Sequence, residues 1–369
     1  MTRNMLTSAR LGLLTLLLLP GGCSDSPTEP SAPLSSDVFV LNSTGQTLAS
    51  FSVLEGLSGG ASPIDLGAGF DGDAFDLTPS FAVTTVSSFG GSRLLFVDLA
   101  SGDVLTTAFP APESGLTNPS AASFDGQGTA WVGGRGSDAV YRSDPGDATA
   151  QRVATDLGTF IERVVPHEDR LYVIDANIDD DGGSYRPLGP GRIIVLSRTG
   201  VREHVIDLPP AALNPTEAVV VEGALLVLAG GSFDPATFLP SNDGSLVAID
   251  LATGSAASPI RLGANGVSME LGADGLVYVT TTSDYQSLNV LRFDPGSGAV
   301  DPGPADLVPI KDSDGGRVDC WSATALTDGR IVCITFRSAE AGSLVLTDRS
   351  GEFLDEVTSG FGSTDVAVR

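Results

Sequence analysis

Hydrophobic positions along this chain come in short runs. From Asp37 to Arg369, stretches rich in Val, Ile, Leu, Thr and Phe alternate with Gly, Asp, Pro and Ser, and no segment keeps a helical apolar period over 12 residues. The pattern predicts strands and tight turns throughout. One motif recurs within it, an apolar run that often ends in Asp and is followed by a Gly turn. It reads Leu94-Leu-Phe-Val-Asp-Leu-Ala-Ser-Gly102 and again Leu246-Val-Ala-Ile-Asp-Leu-Ala-Thr-Gly254. Weaker copies span 139–146, 193–200, 289–298 and 344–351, and a degenerate first copy spans 48–56.

The marker glycines at 56, 102, 146, 200, 254, 298 and 351 are spaced 46, 44, 54, 54, 44 and 53 residues apart. Four short strands per repeat at about 40–50 residues is the pattern of a β-propeller blade. The fifth repeat reads most clearly, with an inner strand near 215–221, a second at 224–229, a third at 244–251 and an outer strand near 257–262. Asp274-Gly275 and Asp328-Gly329 read as short hairpin turns between inner and second strands. The segment Asp37–Asn42 matches a second strand, and Ser363–Arg369 matches an inner one. The expected fold is therefore all-β: a seven-bladed propeller whose C-terminal strand joins the N-terminal blade and leaves no open sheet edge between the chain ends. The predicted organisation is 1–22 signal peptide, 23–36 tether and 37–369 propeller.

Leu171-Tyr-Val-Ile-Asp-Ala-Asn177, Leu276-Val-Tyr-Val-Thr-Thr281 and Asp37-Val-Phe-Val-Leu-Asn42 resemble the YVTN-type propeller repeats of prokaryotic surface and secreted proteins. The resemblance covers nearly all of 37–369 and concerns architecture. The Gly-His and Trp-Asp signatures of WD repeats are missing. With Trp131 and Trp321 the only tryptophans, so are the docking repeats of quinoprotein dehydrogenases.

The first residues read as an address. Arg3 and Arg10 precede the apolar run Leu11–Leu19, which is too short to span a bilayer, and Pro20-Gly21-Gly22 precede Cys23. This arrangement resembles the lipobox of bacterial lipoproteins, although Pro20 stands where that motif usually has Leu. The resemblance implies cleavage before Cys23 and acylation of its thiol. Residues 24–36 are polar and Pro/Ser-rich and cannot bury enough apolar surface to fold, which suits a tether. By the same resemblance, Ser24 rather than Asp after the cysteine points to the outer membrane of a Gram-negative cell. The expected location is the outer membrane, periplasm or cell surface, with the membrane reached only through the lipid.

Composition narrows the function. The chain carries 46 Asp+Glu against 20 Lys+Arg, a formal charge of −26, and Lys311 is its one lysine. Removing residues 1–22 removes two arginines, giving 18 − 46 = −28. Such a surface repels polyanions, which argues against nucleic-acid binding and against attraction to anionic lipid. At 41% hydrophobic residues the chain can build a core, and 45 glycines without a three-residue period exclude collagen. Two histidines argue against His-centred catalysis or a multi-His metal site. His167 reads as a turn residue and His204 as part of an outer strand. No nucleophile elbow and no phosphate-cradling Gly-rich loop opens a helix. PQQ, nucleotides and haem are not expected.

The richest polar cluster is Asp175-Ala-Asn-Ile-Asp-Asp-Asp-Gly-Gly-Ser184, between the second and third strands of blade 4. Asp175, Asn177, Asp179 and Asp181 alternate before Gly182, a register that resembles a calcium loop. Leu188 stands where an EF-hand places Glu, and no helices flank the loop, so an EF-hand is excluded; the same spacing also suits a solvated acidic loop. Asp71, Asp73 and Asp76, and Asp312, Asp314 and Asp319, are weaker versions. Calcium is the only cofactor the sequence suggests. Glu162, Glu217, Glu270, Asp319 and Asp365 lie at or near predicted inner strands and are candidates to line the central funnel. Asn118 and Asn214 precede Pro119 and Pro215 at two inner-strand starts. A calcium-dependent lactonase of the regucalcin or gluconolactonase type uses Glu, Asn and Asp around one metal there, although no alignable motif ties this chain to that family. If Cys23 is lipidated, Cys320 and Cys333 remain as an even pair in an oxidising compartment. A two-residue turn at Asp328-Gly329 sets Cys333 opposite residue 324, so a disulfide then needs a shifted register or a bent strand start.

The function expected from these readings is a monomeric, lipid-anchored, non-enzymatic propeller that presents its faces to a protein, peptide or glycan. A calcium-dependent hydrolase or lactonase in the funnel and a scaffold within an envelope complex are the alternatives.

Overall fold

The structure is a computed structural model. It describes residues 37–369 apart from 55, 60–61, 68–71, 73, 88–90, 111–117, 159, 180–185, 296–306 and 338–339. The predicted signal, tether and Cys23 lie outside the described residues, as do Asp71, Asp73, Asp181 and Gly298.

Among the described residues, seven antiparallel blades form a ring without helices. Blade 5 illustrates the order: inner strand Pro215–Val221, second Ala224–Ala229, third Ser245–Asp250, outer Ile260–Arg261. Inner strands begin at Phe75, Ser123, Ile161, Pro215, Asn265 and Ser322 in blades 2 to 7. Blade 1 takes its inner strand from the far end of the chain. Ser363–Val368 pairs antiparallel with Asp37–Asn42, from Val38↔Val368 to Leu41↔Asp365, and its outer strand is split into Ser58–Gly59 and Ile64–Asp65. Blade 4 carries an additional small hairpin, Ile178–Asp179 with Arg186–Pro187.

The recurrent Asp and Gly have a shared mechanical cause. After the third strand of blade 2, Asp98 Oδ1 accepts hydrogen bonds from the backbone NH of Ala100 and Ser101, and Gly102 NH returns to the Asp98 carbonyl at 2.8 Å. Asp250, Ala252, Thr253 and Gly254 repeat this arrangement in blade 5. The carboxylate satisfies turn amides, and the glycine takes a positive φ (78° at Gly102, 70° at Gly254) that costs other residues steric strain.

The core is divided among the blade interfaces. In blade 4, Leu171, Val173, Ile194 and Leu196 pack with Trp131 and Val140 of blade 3. The alternate residues Tyr172, Ile174, Ile193 and Val195 pack with Leu225, Val227, Val247 and Ile249 of blade 5. Successive side chains of a strand point to opposite faces, so a blade that is covered on both faces needs apolar residues at every position. This is why second and third strands read as unbroken hydrophobic runs. Equivalent clusters join each remaining neighbour pair. The last joins Val332, Ile334 and Leu344 of blade 7 to Val38, Val40 and Val366 of blade 1, and closes the ring.

The Asp-Gly hairpins are one residue longer than two-residue turns. Leu326 NH donates to the Arg330 carbonyl and Gly329 NH to the Leu326 carbonyl, both at 2.9 Å, enclosing 327–329 with Gly329 at φ 83°. The left-handed glycine in third place makes room for the extra residue. Cys333 consequently faces Ala323 instead of Thr324. Cys320 precedes the inner strand, beside the Trp321 NH bond to the Ile334 carbonyl at 2.8 Å. Cys320 and Cys333 are joined by a disulfide, with Cα atoms 5.6 Å apart, buried between blades 6 and 7. The bridge spans 13 residues, so replacing both cysteines by serine should cost about 2–4 kcal/mol. Denaturant unfolding of the double variant beside the oxidised parent measures this. An unchanged midpoint would show that the bridge adds no stability.

Candidate functional site

Inner strands of five blades bring charged side chains to the ring axis. Arg163, third residue of the blade 4 inner strand, donates through Nη1 to Glu217 Oε2 of blade 5. Its charge also interacts with Glu270 of blade 6, Asp76 of blade 2 and Asp365 of blade 1. One guanidinium can sense carboxylates from four other blades only from the axis. The Arg163 side chain is 14% exposed, and its Nε is buried without a hydrogen-bond partner.

The four carboxylates differ in surroundings. Asp365 Oδ2 accepts from Phe75 NH at 3.1 Å, while Oδ1 accepts from Val366 NH at 2.8 Å and from Ser322 Oγ at 3.4 Å. Asp76 accepts from Phe124 NH at 2.7 Å and from Leu77 NH at 2.8 Å. These backbone bonds tie the acids to blade edges. Burial nevertheless dominates, because a charge loses its water on enclosure. It pushes Asp365 up to about 7, with the neighbouring Glu217 charge adding and the Phe75 amide and Arg163 opposing. Burial, then the Asp365 charge, raise Glu270 well above the usual carboxylate range, and burial raises Asp76. Arg163 goes the other way: burial disfavours its charge, but the four carboxylates outweigh that and hold it protonated.

Glu217, Glu270 and Asp365 of the predicted funnel set therefore meet on the axis. Glu162 does not join them. It sits at the channel mouth, where Arg135 donates to its Oε2 at 2.5 Å and stacks over Phe160, 5.6 Å from the ring centroid. The mouth is a cavity of about 160 Å³ lined by Thr85, Ser87, Ser120, Arg135, Glu162 and Glu217 among others. Asp319 belongs elsewhere, because the segment before the blade 7 inner strand folds into a hairpin that carries it off the axis. There it accepts from Leu288 NH at 3.1 Å and pairs with Arg317 at 3.3 Å. In blade 4, Asp175 is fully buried. Its oxygens accept from Phe160 NH (3.2 Å), Asn177 NH (3.1 Å) and Arg192 Nε (2.8 Å), so it braces the loop from within. Asn177 donates to the Pro190 carbonyl at 3.1 Å, and Asp179 lies opposite Arg186 in the small hairpin. Among the described residues, no three His, Cys, Asp or Glu side chains are arranged to hold a metal ion.

Of a second site the sequence points only to the acids Asp312, Asp314 and Asp319, and not to a cleft. Between blades 6 and 7 lies a cleft of about 540 Å³, within the range of ligand pockets, whereas the channel mouth falls below it. Its aromatic walls come from Trp321 and Phe336, with ring centroids 5.1 Å apart, and from Tyr285, which stacks on Phe233 at 6.0 Å. Asp312, Asp314, Arg317, Asp319, Arg337 and Glu356 supply its charges. The cleft opens on the face formed by connections from second to third strands and from outer strands to the next inner strand. Of the exposed aromatic side chains among the described residues, Phe238, Tyr285 and Phe336 come from those connections, and Phe361 ends the blade 7 outer strand at the same side.

No protein-family model matches this chain, and no curated protein sequence matches it. Solved structures do. A protein from Lactobacillus plantarum is 12% identical with a TM-score of 0.58, covering 91% of this chain and 100% of its own. A putative 6-phosphogluconolactonase from Bacteroides fragilis is 11% identical with a TM-score of 0.57, covering 92% and 100%. A streptogramin B lyase is 12% identical with a TM-score of 0.51, covering 75% and 82%. The likeness is one of fold. At these identities it transfers neither a reaction nor a site.

Two measurements probe the axis. Replacing Arg163 by Met leaves four converging carboxylates without their counter-charge and should destabilise the ring by about 3–5 kcal/mol at pH 8. The loss should be smaller at pH 5, where the raised carboxyls can take up protons, and equal losses at both pH values in chemical denaturation would contradict this account. Asp365 binds its proton more tightly folded than unfolded, where its ordinary value is 3.8. Stability from that proton is complete below about pH 4 and is lost as pH climbs through 7. Asp365→Asn should therefore flatten the fall in Tm between pH 5 and pH 8 and add on the order of 1–3 kcal/mol at pH 8. A parallel fall in parent and variant would show that Asp365 does not titrate in this window.

Proposed function

We propose that this chain is an extracytoplasmic binding propeller, tethered to a membrane through acyl groups on Cys23, which engages a protein or peptide partner with one face of the ring. The observation that carries this reading is the distribution of exposed aromatic rings. Phe238 and Tyr285 come from blades 5 and 6, Phe336 and Phe361 from blade 7, and all lie on the face into which the cleft opens. Exposed large apolar residues on third-to-outer connections, such as Leu54 and Val201, are aliphatic. Aromatic side chains offer large contact area at small entropic cost, so grouping them on one rigid face suits recognition. The axis supports the same reading. A guanidinium already lies among the funnel carboxylates, so a divalent cation entering there would meet a resident positive charge.

Photo-crosslinking tests the face. A benzophenone amino acid at position 238 or 361 should give discrete crosslinked products in the native envelope, and an excess of unlabelled protein should compete them away. The same group at position 54 or 201 on the opposite face should give none. Equal products from both faces, or products that resist competition, would defeat the assignment.

A further inference from the structure

The cleft between blades 6 and 7 has a charge balance that specifies more than a general binding face. Four carboxylates, Asp312, Asp314, Asp319 and Glu356, line it against two guanidiniums, Arg317 and Arg337. Both arginines are already turned to protein acceptors. Arg317 Nη2 donates to the Leu288 carbonyl at 2.5 Å and to Asp319 at 3.3 Å, and Arg337 Nη1 donates to Glu340 at 3.1 Å. Among the acids, Asp312 Oδ1 accepts from the amides of Asp314 and Gly316, and Asp319 Oδ1 accepts from Leu288 NH. The carboxylates of Asp314 and Glu356 have no hydrogen-bond donor among the described residues. The unsatisfied charge of the cleft is therefore negative, and the rings of Trp321, Phe336 and Tyr285 line the same cleft.

Carboxylates beside aromatic faces make a receptor for an organic cation. The ring quadrupole attracts positive charge and the acids complete the attraction. The chain as a whole carries −26, which draws a basic partner toward the protein and repels an acidic one. We propose that the cleft receives a lysine or arginine side chain from a basic segment of a protein partner, its cationic head against the Trp321–Phe336 pair. This rests on the binding reading above and narrows it to one occupant and one place. A neutral glycan would use the aromatic faces but leave the excess carboxylates uncompensated.

Trp321 supplies the readout. The other tryptophan, Trp131, is buried, donates its Nε1–H to Asp125 at 3.1 Å and lies under Arg198. Ligand-induced changes in emission therefore report Trp321. The probe is acetyl-(Gly-Lys)4-amide, titrated against acetyl-(Gly-Glu)4-amide and chitohexaose at low salt. The lysine peptide should alter emission saturably. Asp314→Asn combined with Glu356→Gln, which removes the two carboxylates without a donor, should weaken it about five- to tenfold, and added salt should weaken it further. Trp321→Phe should abolish the signal, with an unchanged melting curve showing that the variant is folded. Binding of the lysine peptide that is indifferent to the double variant, or no binding at all, would overturn the proposal. Preferential binding of chitohexaose would also overturn it while leaving a ligand-binding cleft in place. The crosslinking at positions 238 and 361 reads the face independently of the cleft, so the two ideas can fail separately.

Discussion

The ring depends on how charge is settled at its axis. Inner strands of successive blades converge there, so any carboxylate they carry approaches its counterparts from other blades. Asp76, Glu217, Glu270 and Asp365 do so from four blades, and mutual repulsion in an enclosed space would splay them. Arg163 supplies the opposing charge, and burial makes Asp365, Glu270 and Asp76 hold their protons more tightly than free carboxyls do. An apolar plug would need no such balance. This ring instead keeps a polar centre, in which one cation fastens strands that are far apart in sequence.

Away from the axis the binding forces are apolar and local. Each blade buries both faces against its neighbours, and the disulfide ties the entry of blade 7 to its own second strand where that blade packs on blade 6. That tie lies at the base of the aromatic cleft: Cys320 directly precedes Trp321, and Cys333 lies three residues before Phe336. The bridge thus pins the segment that carries Trp321 to the blade 7 strand that leads to Phe336. Rigid support under a binding surface lowers the entropy lost when a partner is held.

Much of the architecture was legible because its causes are local. Asp-to-Gly turns, double-faced apolar runs and the second-strand character of Asp37–Asn42 are written in neighbouring residues. The site was legible only in part. Glu217, Glu270 and Asp365 could be suspected because a carboxylate within an inner strand has few places to go except the axis. Arg163 gave no such signal, since an isolated arginine in a strand normally reads as solvent-facing. Asp76 was hidden by Asp71 and Asp73, which made it look like part of an acidic loop. The cleft escaped because Trp321 and Phe336 meet only through the pairing at the start of blade 7, and Tyr285 joins them only when blade 6 stacks on that blade. The hairpin register was missed by one residue, because Asp-Gly serves two-residue and three-residue turns alike.

The strand that completes blade 1 is also the last described segment of the chain. Ser363 bonds to Asn42 across a separation of 321 residues, so Asp37–Asn42 must wait with an unpaired edge until nearly everything else has been made. In an open stack of repeats the end units fray singly and need polar caps. A closed ring has no end unit. Its cooperativity is all-or-none in a geometric sense, since opening any one interface turns a circle into a line with two sticky ends. A protein of this design is exposed to proteolysis and mispairing until its last strand docks, and only then becomes durable.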